Sequence, residues 1–213
     1  KVIVDENYVV HIPEGLDPAS AAPILCAGIT VYSPLKYWDA RPGKNVGIIG
    51  IGGLGHMAIK IARAMGAHVT VFTTSESKAE DARRLGADEV VLSTDAAQMK
   101  SCPKQDIILD TVSAPHNVND YIRLLKTNGS VVMVGLPVGD LPVSASNIVH
   151  GRKSFSGSNI GGIQETQEVL VFCAEHGITA DIELIRMDQV NQAFDRLEKG
   201  DVKYRFVIDL SSL

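Results

Sequence analysis

Three features of this sequence predict a doubly wound α/β fold, a parallel sheet with helices on both faces. From Asn45 onward, short β-rich runs alternate with helix-patterned segments, as parallel strands joined by helical crossovers require. The apolar run Val46-Gly47-Ile48-Ile49 leads directly into Gly50-Ile51-Gly52-Gly53-Leu54-Gly55, which opens an apolar-periodic segment through Ala64. The 213 residues are 45% hydrophobic and 21% charged, an ordinary globular composition able to bury a core.

The elements follow in order. The first strand is Val46 to Ile49, and its helix runs from about Gly53 to Met65, stopped by Gly66. The second strand is His68 to Phe72. A helix from Lys78 to Leu85 follows, with Ser77 and Glu80 at capping-box spacing and Gly86 as its stop. Glu89 to Leu92 and Ile107 to Leu109 are the third and fourth strands. A helix from His116 to Leu125 and the Asn128-Gly129 turn precede the fifth, Val131 to Val134. Helices near Gln164–Glu175 and Gln189–Lys199 then lead to a final β run, Tyr204 to Ile208. The flanks are looser, with Pro13-Glu14-Gly15 and Ala19 to Pro23 on one side and Pro137, Gly139 and Pro142 on the other.

A glycine hexapeptide between a buried strand and a helix is a dinucleotide-binding arrangement. Gly50 permits the tight turn, Gly52 lets the backbone approach a pyrophosphate, and Gly55 allows close helix packing, with the helix N-terminus facing the anion. The competing reading is an ordinary glycine-rich turn. NAD-binding members of this fold place an acidic residue roughly 20 positions on, against the ribose 2′-hydroxyl. Here the second strand ends Thr73-Thr74-Ser75-Glu76-Ser77-Lys78. Hydroxyls and an ammonium suit a 2′-phosphate, which a carboxylate would repel. The expected cofactor is therefore NADP(H), with Thr74, Ser75 and Lys78 around the phosphate. Glu76 could instead turn inward, and Ser75 and Ser77 could serve only as helix caps.

A formal net charge of −5 argues against nucleic acid or an anionic membrane as partner. No apolar stretch approaches the roughly 18 residues of a membrane-spanning helix. Cys26, Cys102 and Cys173 are odd in number and lack C-x-x-C spacing, which suits a reducing cytoplasm. In apolar segments such cysteines are ordinarily buried small hydrophobes. The start, Lys1-Val2-Ile3-Val4-Asp5, has neither an initiator Met nor a signal-peptide core and reads as an end inside a longer chain.

Several segments resemble the zinc-dependent medium-chain alcohol dehydrogenases, most closely their cinnamyl alcohol dehydrogenase branch. They are Ala22 to Leu35 (A-P-I-L-C-A-G-I-T-V-Y-S-P-L), Gly47 to His56, Leu85-Gly86-Ala87-Asp88 and Asp201 to Val207 (D-V-K-Y-R-F-V). The resemblance covers essentially the whole chain. It implies a cofactor-binding Rossmann domain with short flanking remnants of a catalytic lobe. Residues 1–32 would be a lobe remnant and linker helix, 33–160 the dinucleotide-binding domain, and 161–213 closing helices with a C-terminal return segment.

The implied activity is NADP-dependent interconversion of primary alcohols and aldehydes, with a catalytic zinc polarising the oxygen during hydride transfer. Cys26 matches a family zinc ligand. The other ligands, the structural zinc lobe and the proton relay of the family do not occur in this sequence. His56, followed by Met57 and lying inside the cofactor motif, is no substitute. Three ligands are needed, so this chain is expected to bind cofactor and turn over nothing. The resemblance also assigns Thr30 a place near the nicotinamide and Thr111 and Val112 the adenosine-to-ribose path. Val134 and Gly135 would read the carboxamide. Ser158, Asn159 and Ile160 would close over the nicotinamide, and Arg205 would pair with the pyrophosphate. Against these, Thr30 could be a cap and Arg205 a surface ion pair. The stretch from Ser144 to Ile160 resembles the family's dimer-forming strand edge, which implies a homodimer. The alternatives are a free-standing NADP-binding or dimerisation module and a zinc-free quinone reductase relative. Cys26 in its context and the Gly53-to-His56 run tell against the latter.

Overall fold

A computed structural model describes residues 3–212. Among the described residues eight strands form, β1 (Asn45–Ile49), β2 (His68–Thr73), β3 (Glu89–Leu92), β4 (Gln105–Asp110), β5 (Leu125–Met133), β6 (Ser154–Gly157), β7 (Ile182–Arg186) and β8 (Arg205–Asp209). The helices are α1 (Pro18–Ala21), α2 (Ala27–Tyr37), α3 (Gly55–Ala64), α4 (Ala79–Leu85), α5 (Ala96–Ser101), α6 (Val118–Ile122), α7 (Ala145–Val149), α8 (Ile163–Glu175) and α9 (Val190–Glu198). The main sheet runs in the order β3-β2-β1-β4-β5-β6, every neighbouring pair parallel. This is the doubly wound order, whose direction of winding reverses between β1 and β4. β7 and β8 form a separate parallel pair.

Strand alternation divides the core in two. Val46, Ile48, Val69, Val71, Ile107, Leu109 and Val132 face one side, where α2, α3 and α8 cover them. Ile49, Phe72, Ile108 and Val131 face the other, under Val118, Tyr121 and Ile122 of α6. Burial on both faces explains why the strands read as continuous apolar runs. The flanking segments belong to the first of these cores, since Ile24, Ile29 and Tyr204 are buried in it. α2 runs through the boundary expected at 32/33.

Several elements differ from the sequence reading. The helix expected from His116 to Leu125 is only α6, because Asn117 caps it through Asn119 N (3.2 Å) and Leu125 already opens β5. Asn128-Gly129 lies inside β5 at a register shift opposite Gln105 and Ile107, with Asn128 at φ +64°. The capping box at Ser77 is absent. A 3-10 turn at Glu76–Lys78 leads into α4 without a side-chain cap, and the Ser75 and Ser77 hydroxyls bond each other at 2.7 Å. α5, β6 and β7 were not expected. Asp95 caps α5 through Ala97 N and Gln98 N, a readable signal, whereas β6 is short and half polar.

Candidate dinucleotide-binding site

The crevice lies at the carboxyl ends of β1 and β4, where ligands bind in doubly wound sheets. Gly50 follows β1 at φ +89°, its N–H donating to Phe72 O, and a Cβ there would stand 2.8 Å from Val112 Cγ2. Only glycine meets both conditions without strain. A Cβ at Gly55 would collide with the Gly50 carbonyl, so the first turn of α3 closes directly on the loop. Gly52 is different: it is exposed, and a Cβ there would meet nothing within 4 Å. Its open face adjoins the N-terminus of α3, where backbone N–H groups favour an anion. Gly53 and Leu54 are half-buried in the same turn.

Arg205 covers that turn. Its Nε donates to Gly53 O at 3.3 Å, and among the described residues its guanidinium has no carboxylate partner. The surface ion pair open in the sequence reading is thus not formed. Tyr204, buried and stacked on His56 at 4.9 Å, fixes the approach of β8. His56 lies wholly inside, and burial pushes its ring down to about 4. The neutral ring donates from Nδ1 to Gly52 O at 3.1 Å, bracing the loop from behind.

On the side expected for adenosine, a cavity of about 370 Å³ is lined by Gly50, Gly52, Thr73, Thr74, Lys78, Ser93, Thr111, Val112, His116 and Tyr121. Thr111 Oγ1 donates to Ile49 O at 2.7 Å, tying β4 to β1 at the crevice. Thr74 and Lys78 are exposed on the wall, and Lys78 makes no ion pair among the described residues. Ser75 does not line this cavity, being turned to Ser77, and Glu76 does not line it either. A neighbouring cavity of about 740 Å³ shares Gly52, Lys78 and Thr111 with the first and reaches Leu54 and Arg205.

A third cavity, about 510 Å³, is lined by Val134, Gly135, Ser158 and Asn159. The N–H groups of Val134 and Gly135 both donate to Asp110 O, at 2.9 and 3.0 Å. Ile160 is exposed beside this cavity, and Gly161 is packed against Ile29 of α2. Thr30 is buried one helical turn beyond Cys26 and lines none of these cavities. Sequence reasoning missed Thr73, Ser93, His116 and Tyr121, which come from three separate segments and carry no local motif.

The zinc-binding dehydrogenase family model matches residues 53–175. The chain belongs to the zinc-binding dehydrogenases. It is 56% identical to the aldehyde reductase YahK of Escherichia coli, covering 100% of this chain and 62% of that protein. A cinnamyl alcohol dehydrogenase from Sorghum bicolor superposes with a TM-score of 0.94 at 49% identity, over 98% of this chain and 60% of that one. CAD from Helicobacter pylori, solved with NADP(H), gives 0.89 at 41% identity, over 99% of this chain and 60% of that one. The chain thus spans about 60% of the length of these relatives.

Cys26 is exposed rather than buried, which removes the small-hydrophobe reading for this thiol, while Cys102 and Cys173 are buried as expected. Among the described residues, no group of three His, Cys, Asp or Glu side chains could hold a metal ion. A catalytic zinc does not fit this set.

Proposed function

We propose that this chain is the cofactor-binding portion of an NADP-dependent alcohol dehydrogenase or aldehyde reductase, moving hydride between NADP(H) and a primary alcohol or aldehyde. The observation that carries it is the open face of Gly52 between the α3 N-terminus and the Arg205 guanidinium, a cradle shaped for a pyrophosphate. The bound nicotinamide supplies the hydride chemistry. The chain's own residues bind and orient it. Gly50, Gly52, Gly53, Leu54 and Gly55 cradle the pyrophosphate under Arg205, whose planar fork suits phosphate oxygens. Thr111 and Val112 flank the ribose path. The carbonyls of Val134 and Gly135, with Ser158 and Asn159, flank the nicotinamide, and Ile160 and Thr30 stand at its margin.

NADP rather than NAD is favoured by the wall at the end of β2. Thr74 and Lys78 offer donors, and no carboxylate lines the adenosine-side cavity. The Helicobacter pylori relative, solved with NADP(H), agrees. Taken alone, these residues bind cofactor without turnover, since one thiolate cannot hold a catalytic zinc. Three free cysteines suit a reducing cytoplasm. β6 borders the main sheet with one edge unpaired, which supports a homodimer formed along it.

The test is a paired fluorescence titration with NADPH and NADH. Tighter NADPH binding, lost selectively in Lys78→Ala, supports the reading. Tighter NADH binding refutes the NADP assignment, and no binding of either refutes the cradle.

A further inference from the structure

The loop from Gly200 to Lys203, between α9 and β8, walls the 740 Å³ cavity that meets the glycine turn at Gly52 and Gly53. Its end is anchored. Lys203 N donates to Glu183 Oε1 at 3.2 Å, and Tyr204 N donates to Asp181 O at 3.0 Å with its ring stacked on His56. From this fixed point the Lys203 side chain, 64% exposed, reaches α4, where its Nζ lies 2.6 Å from Asp81 Oδ2. Asp81 comes three residues after Lys78, a spacing that puts both side chains on one face, and both line the cavity. The return loop therefore brings a second ammonium to the wall where Lys78 stands.

A carboxylate beside a phosphate-binding lysine repels the phosphate, and Asp81 is offset from two sides. Lys203 holds its Oδ2, and Arg84 Nε stands 3.8 Å from its Oδ1. Asp201, the other carboxylate on this cavity, is bonded by Arg196 Nε at 2.9 Å. Lys78, Lys203 and Arg205 thus share the cavity with two carboxylates, each of which also meets an arginine. An ion pair this exposed on its lysine side is weakly held. The four-carbon stem lets the ammonium swing while the backbone stays in place. Because Arg84 remains at Asp81, Lys203 can pass from carboxylate to phosphate without stranding the acid.

We infer that Lys203 is a specificity-determining residue for the cofactor, joining Lys78 at the ribose 2′-phosphate by releasing Asp81. The inference rests on reading the crevice as an NADP(H) site. Asp81 is then the competitor, a carboxylate that contends with the phosphate for one ammonium. The signs follow. Loss of the Lys203 charge weakens NADPH and spares NADH, which carries a hydroxyl at that position. Loss of the Asp81 charge strengthens NADPH, because the ammonium is freed and a repulsion is removed. A pair that only latched the loop to α4 would behave differently: breaking it from either side would have one effect, the same for both cofactors.

Fluorescence titrations with NADPH and NADH test this on the wild type, Lys203→Gln, Lys203→Arg, Asp81→Asn and Lys78→Ala. The quantity read is the ratio of the two Kd values within each protein, so that a general loss of fold cancels. Lys203→Gln should lower the preference for NADPH roughly tenfold, the scale of one hydrogen bond to a charged group. Lys203→Arg should keep it, and Asp81→Asn should raise it about threefold, as removal of a partly exposed charge does. An unchanged ratio in Lys203→Gln, or Lys203→Gln and Asp81→Asn moving the ratio in the same direction, overturns the inference. The NADP(H) reading then still stands on the wild-type preference and its loss in Lys78→Ala. A wild type that shows no preference for NADPH, or binds neither cofactor, overturns that reading and the inference with it.

Discussion

Replacing Gly52 by alanine separates the cradle from the scaffold. Gly52 is not among the positive-φ glycines, and its Cβ would have open space. In the free protein the substitution restricts the unfolded chain without strain, worth about 0.4–1 kcal/mol of stabilisation. For a chain of this size, that raises Tm by roughly 1–4 °C. In the complex the added methyl occupies the face that the pyrophosphate approaches. Overpacking of this kind costs about 1–3 kcal/mol, or roughly 5- to 150-fold in Kd. Gly50→Ala is the contrast. At φ +89° and 2.8 Å from Val112 Cγ2, it damages the fold itself and lowers Tm. The assay is NADPH fluorescence titration beside thermal unfolding by circular dichroism. A folded Gly52→Ala protein, its Tm equal to or above the wild type's, with wild-type NADPH affinity would refute the cradle, because the pyrophosphate would then not cross this face.

Other perturbations probe the same architecture. Arg205→Ala should weaken NADPH by about 2 kcal/mol, the worth of a hydrogen bond to a charged group, or roughly 30-fold; calorimetric titration reads it, and an unchanged Kd rejects the pyrophosphate role. Acid should destabilise the protein through His56. Its folded value of about 4 lies below the ordinary 6.5, so the fold binds fewer protons than the unfolded chain. That contribution is complete above pH 6.5 and is lost as pH falls towards 4, costing about 2 kcal/mol by pH 5. Urea unfolding at pH 7 and pH 5 measures it, with His56→Phe expected to flatten the difference. Asp181→Ala should cost about 1–3 kcal/mol by stranding Lys60, which is 19% exposed and bonded to Asp181 and Thr179 O, and should release Arg84 as well; chemical denaturation tests this. Light scattering at micromolar concentration should find a dimer of the 22.8 kDa chain, and monomer alone argues against pairing through β6.

The parallel sheet, its first five strands and the glycine turn were legible because each rests on local pattern. Apolar runs of strand length and Gly50, Gly52 and Gly55 at fixed offsets record backbone requirements that neighbours cannot change. Where non-local pairing decides, that legibility ends. β6 and β7 are strands because β5 and β8 lie beside them. α6 is short because Leu125 is claimed by β5. The site divides in the same way. Gly52, Thr74 and Lys78 could be named from motif and charge and Arg205 from the family resemblance, but tertiary structure turned Ser75 away to Ser77 and set Arg205 over Gly53. His116 enters the site only through its bond to Asp110, and His56 becomes a neutral brace only through its burial under Tyr204. Sequence alone determined which backbone could turn tightly between β1 and α3. The tertiary structure decided which charged and titratable groups face that turn, because burial and partner geometry, absent from any local pattern, set their orientation and protonation.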